Sequence, residues 1–164
     1  MKNLKGKIIK HSHHKNTVME KIVGMASDHA GFQMKEYLKS LLIDKGYTVK
    51  DFGAYSSESM DYPDTAHPLA EAVEKGEVEF GIAICGSGNG ICMTVNKHQG
   101  IRAALCWTPE LGALAKQHNN ANILSLPARF ISEELARDIV RAYMSAEFEG
   151  GRHQRRIEKI PVCH

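Results

Sequence analysis

A chain of 164 residues with 43% hydrophobic and 24% charged residues is long enough for one domain with a real core, and its balance excludes a fibrous or disordered protein. Its net charge of +2, with cationic clusters only at the two ends, lacks the basic face of a nucleic-acid binder, and no run approaches the ~18 apolar residues of a membrane span. Met1 to Val18 has no apolar middle of a secretory signal, and the four cysteines, at 85, 92, 106 and 163, form neither a Cys-x-x-Cys pair nor zinc-ribbon spacing; a cytoplasmic protein with reduced thiols is expected.

Residues 1–20 read as a polar tail. Lys7, Lys10, His11, His13, His14 and Lys15 crowd there, and with no acidic or cysteine partner beside them the histidines fit a solvated tail better than a metal site. A single domain over 21–164 follows. Ile22 to Ala26 predicts a strand; Phe32, Tyr37, Leu38, Leu41 and Leu42 then recur at helical spacing until Gly46. Tyr47 to Phe52 predicts a second strand, Gly53 to Asp61 a polar loop, and Ala66, Leu69, Ala70 and Val73 a helix entered at Tyr62-Pro63-Asp64 and ended near Gly76. Phe80 to Ile84 predicts the third strand, Gly90 to Lys97 the third helix, and Gly100 to Cys106 the fourth strand. Pro109 suits the first position of a fourth helix reaching Asn119. Ile123 to Leu126 makes a fifth strand, and Ser132 caps a fifth helix to Ala146, with Glu133 and Glu134 in its first turn. Gly150-Gly151 precedes a basic tail, Arg152 to Lys159.

Strands alternating with helices predict an α/β fold, a three-layer doubly wound sandwich with a five-stranded parallel sheet, Rossmann-like in plan. Ligands in such sheets bind beyond the carboxyl ends of the strands. That rule selects the loops Ser27 to Gly31, Gly53 to Tyr62, Cys85 to Gly90, Trp107 to Pro109 and Pro127 to Ile131.

Among these, Phe80 to Ile91 runs from an apolar strand through Cys85 and glycines 86, 88 and 90 into a helix. N–H groups of such a turn and the start of the helix favour an anion, and Cys85 would be a reactive sulfur on its rim. Ile91 stands where G-x-G-x-x-G needs its last glycine, and no Walker lysine follows, so an anion-binding turn and a purely structural one both fit. Cys85 could equally be buried filling; Cys92 and Cys106 read as packing. Asp28-His29 lies on the same rim, able to handle protons or bind phosphate, with capping of the first helix as the plain alternative for Asp28. His118-Asn119 could be a helix C-cap. Arg152 and Arg156, at i and i+4, could fork a phosphate or simply be solvated.

Six segments in order, Ser27 to Phe32, Ser56 to Pro63, Ile84 to Ile91, Asn96-Lys97 with Gly100 to Ala103, Gln117 to Asn119, and Glu149 to Arg156, resemble the type B ribose-5-phosphate isomerases over Lys21 to Lys159. The resemblance implies interconversion of ribose 5-phosphate and ribulose 5-phosphate through a cis-enediolate, in the non-oxidative pentose phosphate pathway, with no metal or organic cofactor. By that resemblance Cys85 is the base moving the proton between C2 and C1, and Gly86, Ser87, Gly88, Asn89 and Gly90 hold the enediolate oxygen. His118 opens the furanose ring with Asp28, while Asn119 and Tyr62 meet sugar hydroxyls. His29, Arg129, Arg152 and Arg156 bind phosphate, some of them donated by a second subunit of a homodimer or dimer of dimers. Ser27 stands where some members carry cysteine, without affecting an assigned role. Related galactose-6-phosphate isomerase subunits lack the His-Asn pair and the Gly-Gly-Arg-His segment. Both are present here, which favours the pentose phosphate over galactose 6-phosphate and leaves allose 6-phosphate as a side activity. A flavodoxin-like module that binds a phosphate ligand without turning it over rests on the fold alone.

Overall fold

Five short apolar runs form one sheet in the computed structural model, which describes residues 20–162; the tail up to residue 19, with its histidines, and Cys163 lie outside the described residues. The strands are β1 (Ile22–Ser27), β2 (Thr48–Asp51), β3 (Phe80–Cys85), β4 (Ala103–Leu105) and β5 (Ile123–Pro127). They alternate with α1 (Phe32–Asp44), α2 (Pro63–Glu74), α3 (Asn89–Val95), α4 (Pro109–Asn119) and α5 (Glu133–Ser145), and α6 (Arg152–Ile157) closes the chain. All pairings are parallel, in the order β2-β1-β3-β5-β4, so the chain forms the α/β sandwich its alternation predicts.

Central strands of a parallel sheet are covered on both faces, which is why β3 and β5 are buried along their whole length. On one face α1, α4 and α5 pack Leu38, Leu42, Ala115, Ile139 and Tyr143 against Val23, Met25, Ile82, Ile84, Leu124 and Leu126. On the other, α2 and α3 lay Ala66, Leu69, Ala70, Ile91 and Val95 over Ala26, Ala83, Cys85 and Ile123. Small residues dominate this second layer because α2 lies close to the sheet: a Cβ on Gly24 would come within 2.6 Å of Leu69 Cδ1.

The helix starts follow from their caps. Thr108 Oγ1 accepts the Leu111 N–H at 3.2 Å and Ser132 Oγ that of Leu135 at 3.0 Å. Asp28 does not cap α1. Gly31 is the N-cap residue, and Asp28 Oδ1 accepts its N–H at 3.0 Å, in the turn before the helix. β4 is shorter than the Gly100–Cys106 strand expected from sequence. Side chains occupy the backbone ahead of it: Glu74 Oε2 takes the Gly100 N–H, Asn122 Oδ1 that of Arg102 and Asn96 Oδ1 that of Ala103. The basic segment from Arg152, read as a tail, begins instead with α6, whose His153 and Ile157 are buried. No helix among the described residues is long and apolar enough to cross a membrane.

Candidate active site

The connections after β1 and β3 leave the sheet in opposite directions, so a crevice opens at their carboxyl ends, the switch point of this topology. It is a cleft of about 530 Å³ lined by Asp28, Tyr62, Cys85, Gly86, Ser87, Gly90, Arg129 and Phe130. Cys85, the last residue of β3, is 4% exposed at its floor, and Asp28 is 7% exposed beside it. The Asp28 N–H donates to the Ile84 carbonyl at 3.2 Å, which ties the two strand ends together.

Gly88, at φ 76°, takes the left-handed conformation that turns the chain into α3. Ser87 Oγ accepts the Asn89 N–H at 3.2 Å, and no backbone carbonyl among the described residues takes the N–H of Gly86, Ser87 or Gly88. These donors are left for a ligand. Two neighbours reach the turn only because it lacks side chains: a Cβ on Gly86 would stand 3.1 Å from Arg129 Nη1, and one on Gly90 2.4 Å from the Tyr62 ring. Tyr62 is held there by Thr65, whose hydroxyl donates to the Ser27 carbonyl at 2.9 Å and joins the start of α2 to the end of β1. His29 Nδ1 accepts the Met60 N–H at 3.1 Å, which leaves Nε2 as the ring's donor.

His118, Asn119, Arg152 and Arg156 are not in this cleft. They belong to the end of α4 and to α6, where Arg102, just ahead of β4, donates to the Asn119 and Asn120 carbonyls. Asn120, at φ 43°, ends α4 in the left-handed conformation. This is the amino-terminal edge of the sheet, about four residues of strand or ~13 Å from Cys85. Within one chain the anticipated site is therefore two half-sites at opposite edges of the sheet.

The second half-site contains two side chains that were given no role from sequence, Glu149 and His153. The rings of His118 and His153 stack with centroids 4.3 Å apart and planes at 11°. Glu149 Oε1 lies 3.4 Å from His118 Nε2 and 3.8 Å from His153 Nε2. Burial, then the neighbouring His118 and Arg152 charges, hold the His153 imidazole below the usual histidine range. Two histidines and a carboxylate are a donor set that zinc accepts, and these are the one such cluster among the described residues. Yet imidazole lone pairs lie in the ring plane, so near-parallel stacked rings cannot both aim at one ion. The cluster as it stands suits proton handling. His153 could have been found from its i, i+4 spacing with Ile157; Glu149 depends on a contact between distant segments.

Burial pushes the other described thiols up, Cys106 to about 12 and Cys92 by less, which fits the packing role read for them. The sequence pattern of the ribose/galactose isomerases matches residues 23–160. The chain belongs to the ribose/galactose isomerase family. Ribose-5-phosphate isomerase B of Escherichia coli is 45% identical over 140 residues, which are 85% of this chain and 94% of that protein. The crystal structure of a ribose 5-phosphate isomerase from Thermotoga maritima superposes with a TM-score of 0.85 at 49% identity, covering 87% of this chain and 99% of that one. That of ribose-5-phosphate isomerase B from Mycoplasma genitalium, with bound ribulose-5-phosphate, gives 0.83 at 44% identity, covering 87% and 95%. Family membership agrees with the resemblance read from the six segments.

Proposed function

We propose that this member of the family is an aldose–ketose isomerase that interconverts D-ribose 5-phosphate and D-ribulose 5-phosphate in the cytoplasm. The observation that carries the reading is the placement of Cys85 on the floor of a cleft with Asp28 on one side and unclaimed turn N–H groups on the other.

The chemistry runs in two stages. In the first, the furanose opens: a proton from His118 goes to the ring oxygen as the C1–O4 bond breaks, and the proton of the C1 hydroxyl passes to Asp28, leaving an aldehyde. In the second, the Cys85 thiolate removes the proton on C2. The C–H electrons form the C1=C2 bond of the cis-enediolate and its charge gathers on O1. N–H groups of Gly86, Ser87 and Gly88 are placed to hold that charge, which exists only as the reaction proceeds and is where fixed donors contribute most to rate. The proton on O2 then moves to O1, the C2 carbonyl forms, and Cys85 returns its proton to C1. No electrons leave the substrate, so the steps balance within one molecule.

Asp28 and His118 can act on one sugar only if the two half-sites come from two copies of the chain. A homodimer is part of the proposal, and the surface supports it: Trp107 and Phe130, 54% and 75% exposed, rim an apolar pocket of about 410 Å³ beside the catalytic turn. In such a dimer His29 and Arg129 would meet the phosphate from one side and Arg152 and Arg156 from the other, with Asn119 and Tyr62 on the hydroxyls. The test is to incubate the purified protein with ribose 5-phosphate in EDTA and follow ketose by NMR. Ribulose 5-phosphate should accumulate to equilibrium. A protein that forms no ketose is not this isomerase, and activity that disappears with the chelator contradicts a mechanism built on Cys85 and His118 alone.

A further inference from the structure

Glu149 has no place in the steps above, yet the fold takes trouble to present it. Its N–H donates to the Gln117 carbonyl at 3.0 Å, which docks the segment after α5 onto the last turn of α4. Gly150 and Gly151 follow with φ of 67° and 56°, and the His153 N–H returns to the Gly150 carbonyl at 3.1 Å. Positive φ at two successive residues is open to glycine at little cost, and it turns α6 back so that His153 lies flat on His118. One carboxylate oxygen then faces both Nε2 atoms.

His118 needs such support. Its side chain is 39% exposed near the end of a helix, where an imidazole would otherwise turn freely about two bonds. Resting on the ring-opening role proposed for His118, we infer that Glu149 is a positioning residue: it holds Nε2–H of His118 so that Nδ1 meets the sugar, with His153 as the platform that keeps the ring from turning. When Nδ1 gives its proton to the ring oxygen and the C1–O4 bond breaks, the Nε2–H contact persists. The imidazole is left as the tautomer with a lone pair on Nδ1, ready to take the proton back when the ring closes. A carboxylate against the far nitrogen also stabilises the imidazolium that must exist before the transfer.

The test separates ring opening from enolisation. Ribulose 5-phosphate carries its phosphate on O5 and cannot close a furanose, so solvent deuterium entering C1 of this ketose reports Cys85 chemistry alone. Glu149→Gln keeps the shape and removes the charge. Its kcat/KM on ribose 5-phosphate should fall by about tenfold or more, while deuterium uptake at C1 of ribulose 5-phosphate, read by NMR in D2O, stays within about threefold of wild type. His153→Ala, which removes the platform, should show the same split and decides the matter if the first variant does not fold. Ribose 5-phosphate turnover within threefold of wild type, or equal loss of both reactions, overturns the role of Glu149. A wild-type protein inert on ribose 5-phosphate but able to exchange C1 of the ketose removes the ring-opening reading of His118, and the inference with it; one inert in both assays removes the isomerase reading itself.

Discussion

Cys85 and His118 stand at opposite edges of one sheet: Cys85 closes β3 in register with Pro127, whereas His118 lies at the end of α4, just before Asn122, whose carbonyl accepts the Gly81 N–H at the start of the same strand. The strand between them is rigid and buried, so no loop movement in one chain brings them together. Every step that uses both must use two copies.

Removing the base should separate catalysis from binding. Cys85→Ala is expected to lower kcat by about a thousandfold or more while the affinity for ribulose 5-phosphate, measured by calorimetry, changes only a few fold, because the sulfur acts on the transition state. Retention of most of the kcat would refute the assignment of Cys85.

Burial suppresses the thiolate of two of the three described cysteines. With its pKa at about 12, Cys106 has on the order of one thiolate in ten thousand molecules at pH 8, and Cys92 is suppressed in the same direction. In a Cys163→Ser background, limited iodoacetamide at pH 8 should label Cys85 first, in step with loss of activity, as peptide mass spectrometry can follow. Labelling of Cys106 ahead of Cys85 would contradict this order.

Lys35 is fully buried with its ammonium 2.7 Å from Asp51 Oδ2, 2.8 Å from Oδ1 and 2.9 Å from Glu36. Burial opposes the Asp51 charge, but hydrogen bonds from Lys35, Lys39 and the Gly53 N–H outweigh it and hold the carboxyl below the usual range. A carboxyl with a lowered folded pKa contributes stability that is full above the unfolded value, about 3.9, and is lost as pH falls through the folded one. Asp51→Asn should therefore cost about 3 kcal/mol at pH 7, since it leaves a buried ammonium short of its partner, and should flatten the loss of stability below about pH 4. Lys35→Met/Asp51→Asn should recover part of the cost in urea unfolding; a double variant less stable than Asp51→Asn would contradict the pairing.

The two left-handed glycines at positions 76 and 88 allow backbone strain to be told from collision. A Cβ at Gly76 meets nothing within 4 Å, whereas one at Gly88 would lie 2.4 Å from Leu105 Cδ1 and 3.2 Å from the Leu126 carbonyl. Gly76→Ala should cost about 1 kcal/mol. Gly88→Ala should cost clearly more and, if the turn holds the enediolate as proposed, lower kcat as well, because that turn must shift. Equal melting temperatures for the two would remove the collision.

Much of this architecture is local and could be read from residues near each other in sequence. α4 matches its expected span because Pro109 opens it and Asn119-Asn120 closes it, and Cys85, Asp28 and the glycine turn were legible because they sit where apolar strands end. The remainder is made by long-range contacts. β4 is cut short by Asn96, Asn122 and Glu74, none of them in it, and the buried Lys35 of α1 finds its partner only when β2 brings Asp51 over it. Glu149 and His153 gain their positions only when α6 folds back on α4. The separation of the half-sites follows from the direction of α4, which runs antiparallel to the strands and carries its carboxyl end away from Cys85.

Subunit complementation tests most directly whether one isomerase site is built from two copies. Cys85→Ala and His118→Asn homodimers should each be nearly inactive on ribose 5-phosphate. Mixed in equal amounts, unfolded and refolded, they should give hybrids carrying one intact site and one doubly damaged site, with activity recovering to about a quarter of wild type when chains pair at random. Recovery near that value supports a shared site; a mixture that remains as inactive as its parents would contradict it.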